Sequence, residues 1–211
     1  MEGPTLTERI QELRRSNVEE EVRKRIGEFE EMGSRGAEEW FSELCFCILT
    51  ANSSASLGLK IQREVGPEGF LTWPREKLAR RLEEMGHQYA ERRADFIVEV
   101  RGLGNVKEIV TRLGDERRAR EWLVEHVKGL GYKEASHFLR NIGYMNVAIL
   151  DRHVLRVLAE HGLIDEVPKT LTKRRYLEIE KRLEGLAQTL GLSLGELDLY
   201  LWQMKTGKVL K

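Results

Sequence analysis

The sequence predicts an all-α fold, and three observations carry that prediction. Apolar residues recur at three- and four-residue spacing along most of the chain, the period of one helix face. No segment shows the polar–apolar alternation of a half-buried strand. Only four of the 211 residues are proline, and no low-complexity tract, long linker or fixed-period repeat is visible.

Taken in order, a first helix is expected at 7–15. Asn17 reads as the N-cap of a second, because Glu19, Glu20 and Glu21 would then sit in its first turn, where the helix dipole favours acids. Gly33 and Gly36 are expected to break that helix. The near-continuous apolar run at 37–52 should be the buried centre of one lobe. Further helices are expected at 54–65, 75–85, 90–100, 106–113, 116–127, 133–142, 153–161, 172–190 and 193–204. In the 172–190 segment, Ile179, Leu183, Leu186 and Leu190 mark a single face. The division that follows is a central lobe at about 37–120, with a second lobe from 1–36 plus 121–211.

Composition sets outer limits. An apolar fraction of 41% is enough for a proper core. Acids and bases balance at 35 each, so net charge argues neither for nor against a nucleic-acid partner. Cys45 and Cys47 lie two apart in an apolar run, a spacing that points them to different helix faces and speaks against a disulfide. Two cysteines cannot hold a four-cysteine cluster, and no Cys-x-x-Cys spacing occurs, so neither metal nor cofactor is expected. With no apolar leader and no run near 18 apolar residues, the expectation is a soluble cytoplasmic protein that does not engage membranes.

The most informative stretch is Val127-Lys128-Gly129-Leu130-Gly131-Tyr132-Lys133-Glu134-Ala135. One helical pattern ends in Gly-Leu-Gly and another begins at once. Glycine permits backbone conformations closed to other residues, so the turn can be very tight. The following helix offers free backbone N–H groups and a positive dipole end, which together bind a phosphate without net positive charge. Leu130 can plug between the helices, and Ala135 lets them approach. Taken alone, Gly-x-Gly reads first as an ordinary C-cap between two packed helices.

Lys133 opens the helix after this turn. A neutral amine attacks carbon and an ammonium does not, so a nucleophilic Lys133 would need burial and the helix N-terminus to favour proton loss. Taken by itself, Lys133 reads first as a solvated or phosphate-binding lysine. Asp151 follows the apolar run Ala148-Ile149-Leu150 and precedes a helix, which reads first as an N-cap. A capping carboxylate at a cleft edge can also steady a cationic sugar or help deprotonate a nucleophile.

Gly129-Leu130-Gly131-Tyr132-Lys133 followed by Leu150-Asp151-Arg152-His153 resembles the helix-hairpin-helix superfamily of DNA glycosylases. Within it, the chain is similar over nearly its full length to the archaeal-type 8-oxoguanine DNA glycosylase/AP lyases. Residues 134–143, Glu196-Leu197-Asp198-Leu199-Tyr200-Leu201-Trp202 and the terminal 206–211 support that subfamily. The resemblance implies a two-lobed helix-hairpin-helix glycosylase fold, with the hairpin at about 117–143 and the active site in the cleft between lobes. It implies that Lys133 displaces the damaged base through a Schiff base, that Asp151 assists, and that β-elimination then cuts the strand 3′ to the lesion. Its partner would be double-stranded DNA containing 8-oxoguanine or abasic sites, bound by a monomer without a metal or cofactor.

A base inside a duplex must be flipped out to be reached, and something must fill the gap. In Met85-Gly86-His87-Gln88-Tyr89, Tyr89 is the candidate wedge, Gln88 a candidate for a base edge, and Arg92 or Arg93 for a phosphate. Tyr89 is otherwise a core or capping aromatic. The resemblance implies that Asn52 touches the orphaned opposite base, that the Trp202 ring stacks on the flipped base, and that terminal Lys211 recognises the lesion through its carboxylate. A carboxylate acceptor suits 8-oxoguanine, whose N7 carries a proton where guanine's N7 accepts one. Gly129, Gly131, Lys128, Arg140, Arg152 and Lys208 are the candidates for phosphate contact. Two other readings remain: a non-catalytic DNA-binding hairpin, needing neither Lys133 nor Asp151, and a glycosylase without lyase chemistry, needing only Asp151.

Overall fold

The computed structural model describes residues 3–209, so the expectation for Lys211 lies outside the described residues. Among the described residues there are twelve helices and no strand. In chain order they are α1 Leu6–Arg14, α2 Val18–Ser34, α3 Ala37–Thr50, α4 Ala55–Thr72, α5 Arg75–Glu84 and α6 Ala90–Arg101. The second half holds α7 Val106–Leu113, α8 Glu116–His126, α9 Tyr132–Asn141, α10 Arg152–Glu160, α11 Lys173–Leu190 and α12 Leu194–Thr206. None is long and apolar enough to cross a membrane.

The chain marks its own helix starts. Side chains of Thr5, Ser54, Asn105, Asp115, Asp151, Thr172 and Ser193 each accept the backbone N–H three residues on, which satisfies a donor that helix geometry leaves open. Three local expectations are corrected. Asn17 holds the N-cap position of α2, but its own backbone is helical and its side chain does not cap; the Ser16 hydroxyl accepts from Val18 N–H instead. Gly33 does not break α2: a Cβ there would stand 2.6 Å from the Ile142 carbonyl, so its place in α2 is one of close approach. The helix expected to end at 65 continues to Thr72 across a kink at Gly66, φ +67°, after which Pro67 opens a second stretch.

Burial divides into two hydrophobic cores. The first gathers α3 with apolar residues of α4 to α9. From Trp40 to Thr50, every residue of α3 is buried, because it packs against α2, α4, α6, α7 and α9. Cys45 and Cys47 are free thiols within it, and burial pushes the Cys45 thiol up. The second core joins α1, α2, α10, α11 and α12 with the segment at 148–150. The buried side chains of the hairpin, Ala119, Leu123, Val127, Leu130 and Ala135, belong to the first core.

Candidate active site

The turn between α8 and α9 places the first candidate side chain, Lys133. Gly129 adopts φ +90°, and a Cβ there would lie 2.6 Å from the Phe96 ring, so both backbone angle and space call for glycine. Leu130 is buried beneath the turn and Ala135 is fully buried, as the close approach of the two helices requires. Gly131 holds the N-cap position of α9, and its N–H donates to Glu134 Oε2 at 3.2 Å. The other oxygen of Glu134 lies 3.2 Å from Lys133 Nζ. Lys133 is not deeply buried. Its side chain is 30% exposed and ion-paired, because the second position of a surface-reaching helix opens onto a cleft.

Asp151 is held from behind by a buried polar lattice. Glu180 on α11 takes Arg120 of α8 in a two-pronged ion pair at 2.6 and 2.7 Å. The same carboxylate accepts the Ala148 N–H at 2.8 Å. Tyr176 donates to the Ala148 carbonyl at 2.6 Å and accepts from the Leu150 N–H at 3.3 Å. Burial pushes the Tyr176 hydroxyl well up, so it stays a donor. These bonds fix the segment that ends at Asp151. One Asp151 oxygen then accepts the Val154 N–H at 2.8 Å, so the expected N-cap is present.

Lys133 and Asp151 both line one cleft of about 880 Å³. Its lining includes Thr50 and Asn52 at the end of α3, Asp151 at the cap of α10, and Arg152 and Arg156 on α10. Lys133, Arg152, Arg156 and Lys169 line it against only two acids, Glu134 and Asp151. A chain of zero net charge therefore gathers positive potential at one opening, which suits an anionic polymer. A second cleft, of about 490 Å³, shares Asn52 and Glu134 with the first and adds Tyr89, Arg92, Gly129 and Gly131.

Asn52 is the one non-glycine residue with positive φ, +57°, among the described residues. Strain of this kind persists only where neighbours enforce it. Here the carbonyls at and just past the end of α3 are taken by the loop before α6 and by α6 itself. His87 Nε2 bonds the Leu49 carbonyl at 2.9 Å, Arg93 donates to Ala51, and Gln88 donates to Asn52 at 3.1 Å. Tyr89 N–H donates to His87 Nδ1 at 3.2 Å, which leaves the Tyr89 ring 43% exposed. It is the large apolar side chain that stands out of the surface among the described residues. Arg93, a phosphate candidate by sequence, is instead buried in this clamp, and Gln88 uses an amide N–H on the Asn52 backbone. Arg92 remains exposed.

The other candidates divide by burial. Arg140 is corrected: it is 3% exposed, paired with Asp198 at 2.5 Å, and faces no solvent. Lys128 is exposed and bridges Glu99, while Arg152 and Lys208 are exposed. Trp202 is half-buried on α12 and meets His153 edge-on, ring centroids 4.8 Å apart. Trp202 Nε1 and His153 Nδ1 are both buried without a hydrogen-bond partner among the described residues. No group of three or more metal-binding side chains occurs among the described residues. Glu134 and the His87 clamp were missed by sequence. Glu134 was within reach, since an acid three residues after a helix start is a capping pattern; His87 was not, because its partner lies 38 residues away.

The model of the family described as 8-oxoguanine DNA glycosylase matches residues 22–192. The chain belongs to that family. An 8-oxoguanine DNA glycosylase/AP lyase of Methanocaldococcus jannaschii is 53% identical over 206 residues, covering 98% of this chain and 99% of the relative. One from Korarchaeum cryptofilum is 52% identical, covering 96% of each. Among solved structures, the M. jannaschii glycosylase/lyase in complex with a 15mer DNA containing 8-oxoguanine superposes with a TM-score of 0.95, at 52% identity, covering 98% of this chain and 99% of that one. The 8-oxoguanine DNA glycosylase of Thermotoga maritima superposes at 0.90, with 48% identity and 98% coverage of both chains. The twelve-helix arrangement is thus the fold of the 8-oxoguanine DNA glycosylase family.

Proposed function

We propose that this chain removes 8-oxoguanine from double-stranded DNA and then cuts the strand at the resulting site, with Lys133 as nucleophile and Asp151 as its partner. The observation that carries this reading is their convergence. Lys133, at the start of the hairpin's second helix, and Asp151, at the cap of α10, open onto one cationic cleft.

The Lys133 nitrogen lone pair forms a bond to C1′ while the C1′–N9 bond breaks, and its electron pair leaves with the base, which takes up a proton. The Asp151 carboxylate steadies the positive charge that grows on the sugar. Ring opening gives a protonated imine between Lys133 and C1′. Loss of a C2′ proton then expels the 3′ phosphate by β-elimination. Glu134, 3.2 Å from Lys133 Nζ, is the nearest carboxylate to hold or pass on that amine's proton.

Around this centre we assign Tyr89 as the wedge, Asn52 as the contact to the opposite base, and Gln88 as the residue that braces Asn52 as well as facing the DNA. Trp202 would stack on the flipped base, and Lys211 would read it. The N–H groups beyond Gly129 and Gly131, with Lys128 and Arg152, would take the phosphates. The protein would act as a monomer on cytoplasmic DNA.

Borohydride reduction tests the reading. Incubated with a duplex carrying 8-oxoguanine opposite cytosine, the protein is expected to form a covalent adduct that Lys133→Gln abolishes. Base release without trapping would remove the Schiff base, and binding without release would remove the catalytic assignment altogether.

A further inference from the structure

Behind the cleft lies a buried carboxylate with no part in the chemistry above. Asp198 on α12 is 7% exposed and takes Arg140 Nη1 at 2.5 Å. Arg140 sits over the Phe29 ring, 4.7 Å from its centroid, and gives its other donors to Asn141 Oδ1 at 2.9 and 3.2 Å. Asn141 passes the chain to Glu43 at 2.7 Å, and Glu43 accepts from Gln62 at 3.2 Å. A continuous polar path thus runs from α12 through α9 to α3 and α4, across two apolar cores.

Its placement is what points to function. Arg140 lies seven residues after Lys133 on α9, two turns along the same face. Asp198 lies four residues before Trp202 on α12, one turn along the same face. The ion pair therefore bolts the helix of the nucleophile to the helix of the ring assigned to the flipped base. The two helices are drawn close at this point: a Cβ on Gly195 would meet the Met145 side chain at 2.8 Å and Arg140 Cγ at 3.3 Å.

We infer that Asp198 is a positioning residue for the reaction, holding Lys133 and Trp202 in register through Arg140 and setting the charge behind the Lys133–Asp151 pair. This rests on the function proposed above. Burial pushes the Asp198 carboxyl up to about 6; Arg140 pulls it down, Asp151 raises it further, and Lys133 lowers it. Those are the charged groups that face it from α9 and from the cap of α10. Glu43 and Cys47 on α3 face Arg140. Ionised Asp198 grips Arg140; protonated, it loses the charge of that grip. Protonation as pH falls through about 6 therefore removes the ionic part of the bond to Arg140 and the charge behind the Lys133–Asp151 pair, without costing the fold stability.

Single-turnover excision of 8-oxoguanine, followed against pH for the wild type and Asp198→Asn, is the test. The amide keeps the shape and one acceptor but cannot ionise. Asp198→Asn is expected to lower the rate at pH 7.5 by roughly tenfold or more, about 1.4 kcal/mol of barrier. It is also expected to flatten the fall that the wild type shows between about pH 7 and 5, with duplex binding kept. A variant within twofold of the wild type, with the same pH profile, overturns the inference. If Asp198→Asn does not fold, Arg140→Lys, which keeps the charge but loses the fork, must lower the rate at least fivefold; a rate within twofold overturns it as well. Wild-type protein that forms no borohydride adduct would instead overturn the proposed function, so the two failures are distinguishable.

Discussion

Replacing Glu180 by glutamine should be among the most damaging single changes outside the cleft. Its carboxylate is the counter-charge of Arg120, which is itself among the most deeply buried side chains, and it also accepts the Ala148 N–H. The glutamine can still accept one hydrogen bond but leaves the Arg120 charge unbalanced away from water. Breaking a buried pair from one side costs about 3–5 kcal/mol. In a chain of this size each kcal/mol moves the melting temperature by roughly 2–4 °C, so a fall of at least about 6 °C is expected. Thermal unfolding followed by circular dichroism measures it. The double change Arg120→Met with Glu180→Met, which removes both charges, should recover most of the loss. Because Ala148 and Leu150 hang from this lattice, excision measured well below the melting temperature should also fall in Glu180→Gln as Asp151 loses its anchor. A melting temperature within about 2 °C of the wild type, or a double variant worse than the single, would refute the reasoning.

Two further outcomes follow from the geometry. Gly129→Ala forces a side chain into φ +90° and against the Phe96 ring, and is expected to cost about 2 kcal/mol and to weaken duplex binding; unchanged melting and binding would show that the turn relaxes freely. Asp198 should also leave a mark on stability against pH. Its folded carboxyl lies near 6, above the usual carboxylate range near 4, so the folded state binds its proton more tightly than the unfolded chain does. Stability from this group is then full below about pH 4 and is lost as pH rises to about 6, a change of order 3 kcal/mol relative to Asp198→Asn. Chemical denaturation of both proteins from pH 4 to 7 measures that difference, and a flat difference would show that Asp198 is not burdened in this way.

The helices were legible because each repeats a local rule, an apolar stripe with a capping residue ahead of it, and eleven residues of α3 are buried as its composition required. The Gly-Leu-Gly turn and the cap at Asp151 were legible for a similar reason, since both are short-range patterns. What failed was wherever a distant partner decided the outcome. Gly33 looked like a helix break until the Ile142 carbonyl was found against it. Arg93 and Arg140 looked like free cations, yet one is enclosed by the Ala51 carbonyl and the other by Asp198, 58 residues along the chain. A charge run in sequence does not say which charges meet water.

The amino-acid sequence by itself determined the helical class, the tight Gly-Leu-Gly turn and the cap at Asp151, because those depend on residue type and spacing within a turn or two. Only the tertiary structure decided where charge is displayed and where it is enclosed. It gathered Lys133, Arg152, Arg156 and Lys169 at one opening and drew Arg120, Arg140 and Asp198 inside. The reason is that burial is a property of the packed whole: a charged side chain enters the interior only when packing brings its counter-charge from elsewhere in the chain.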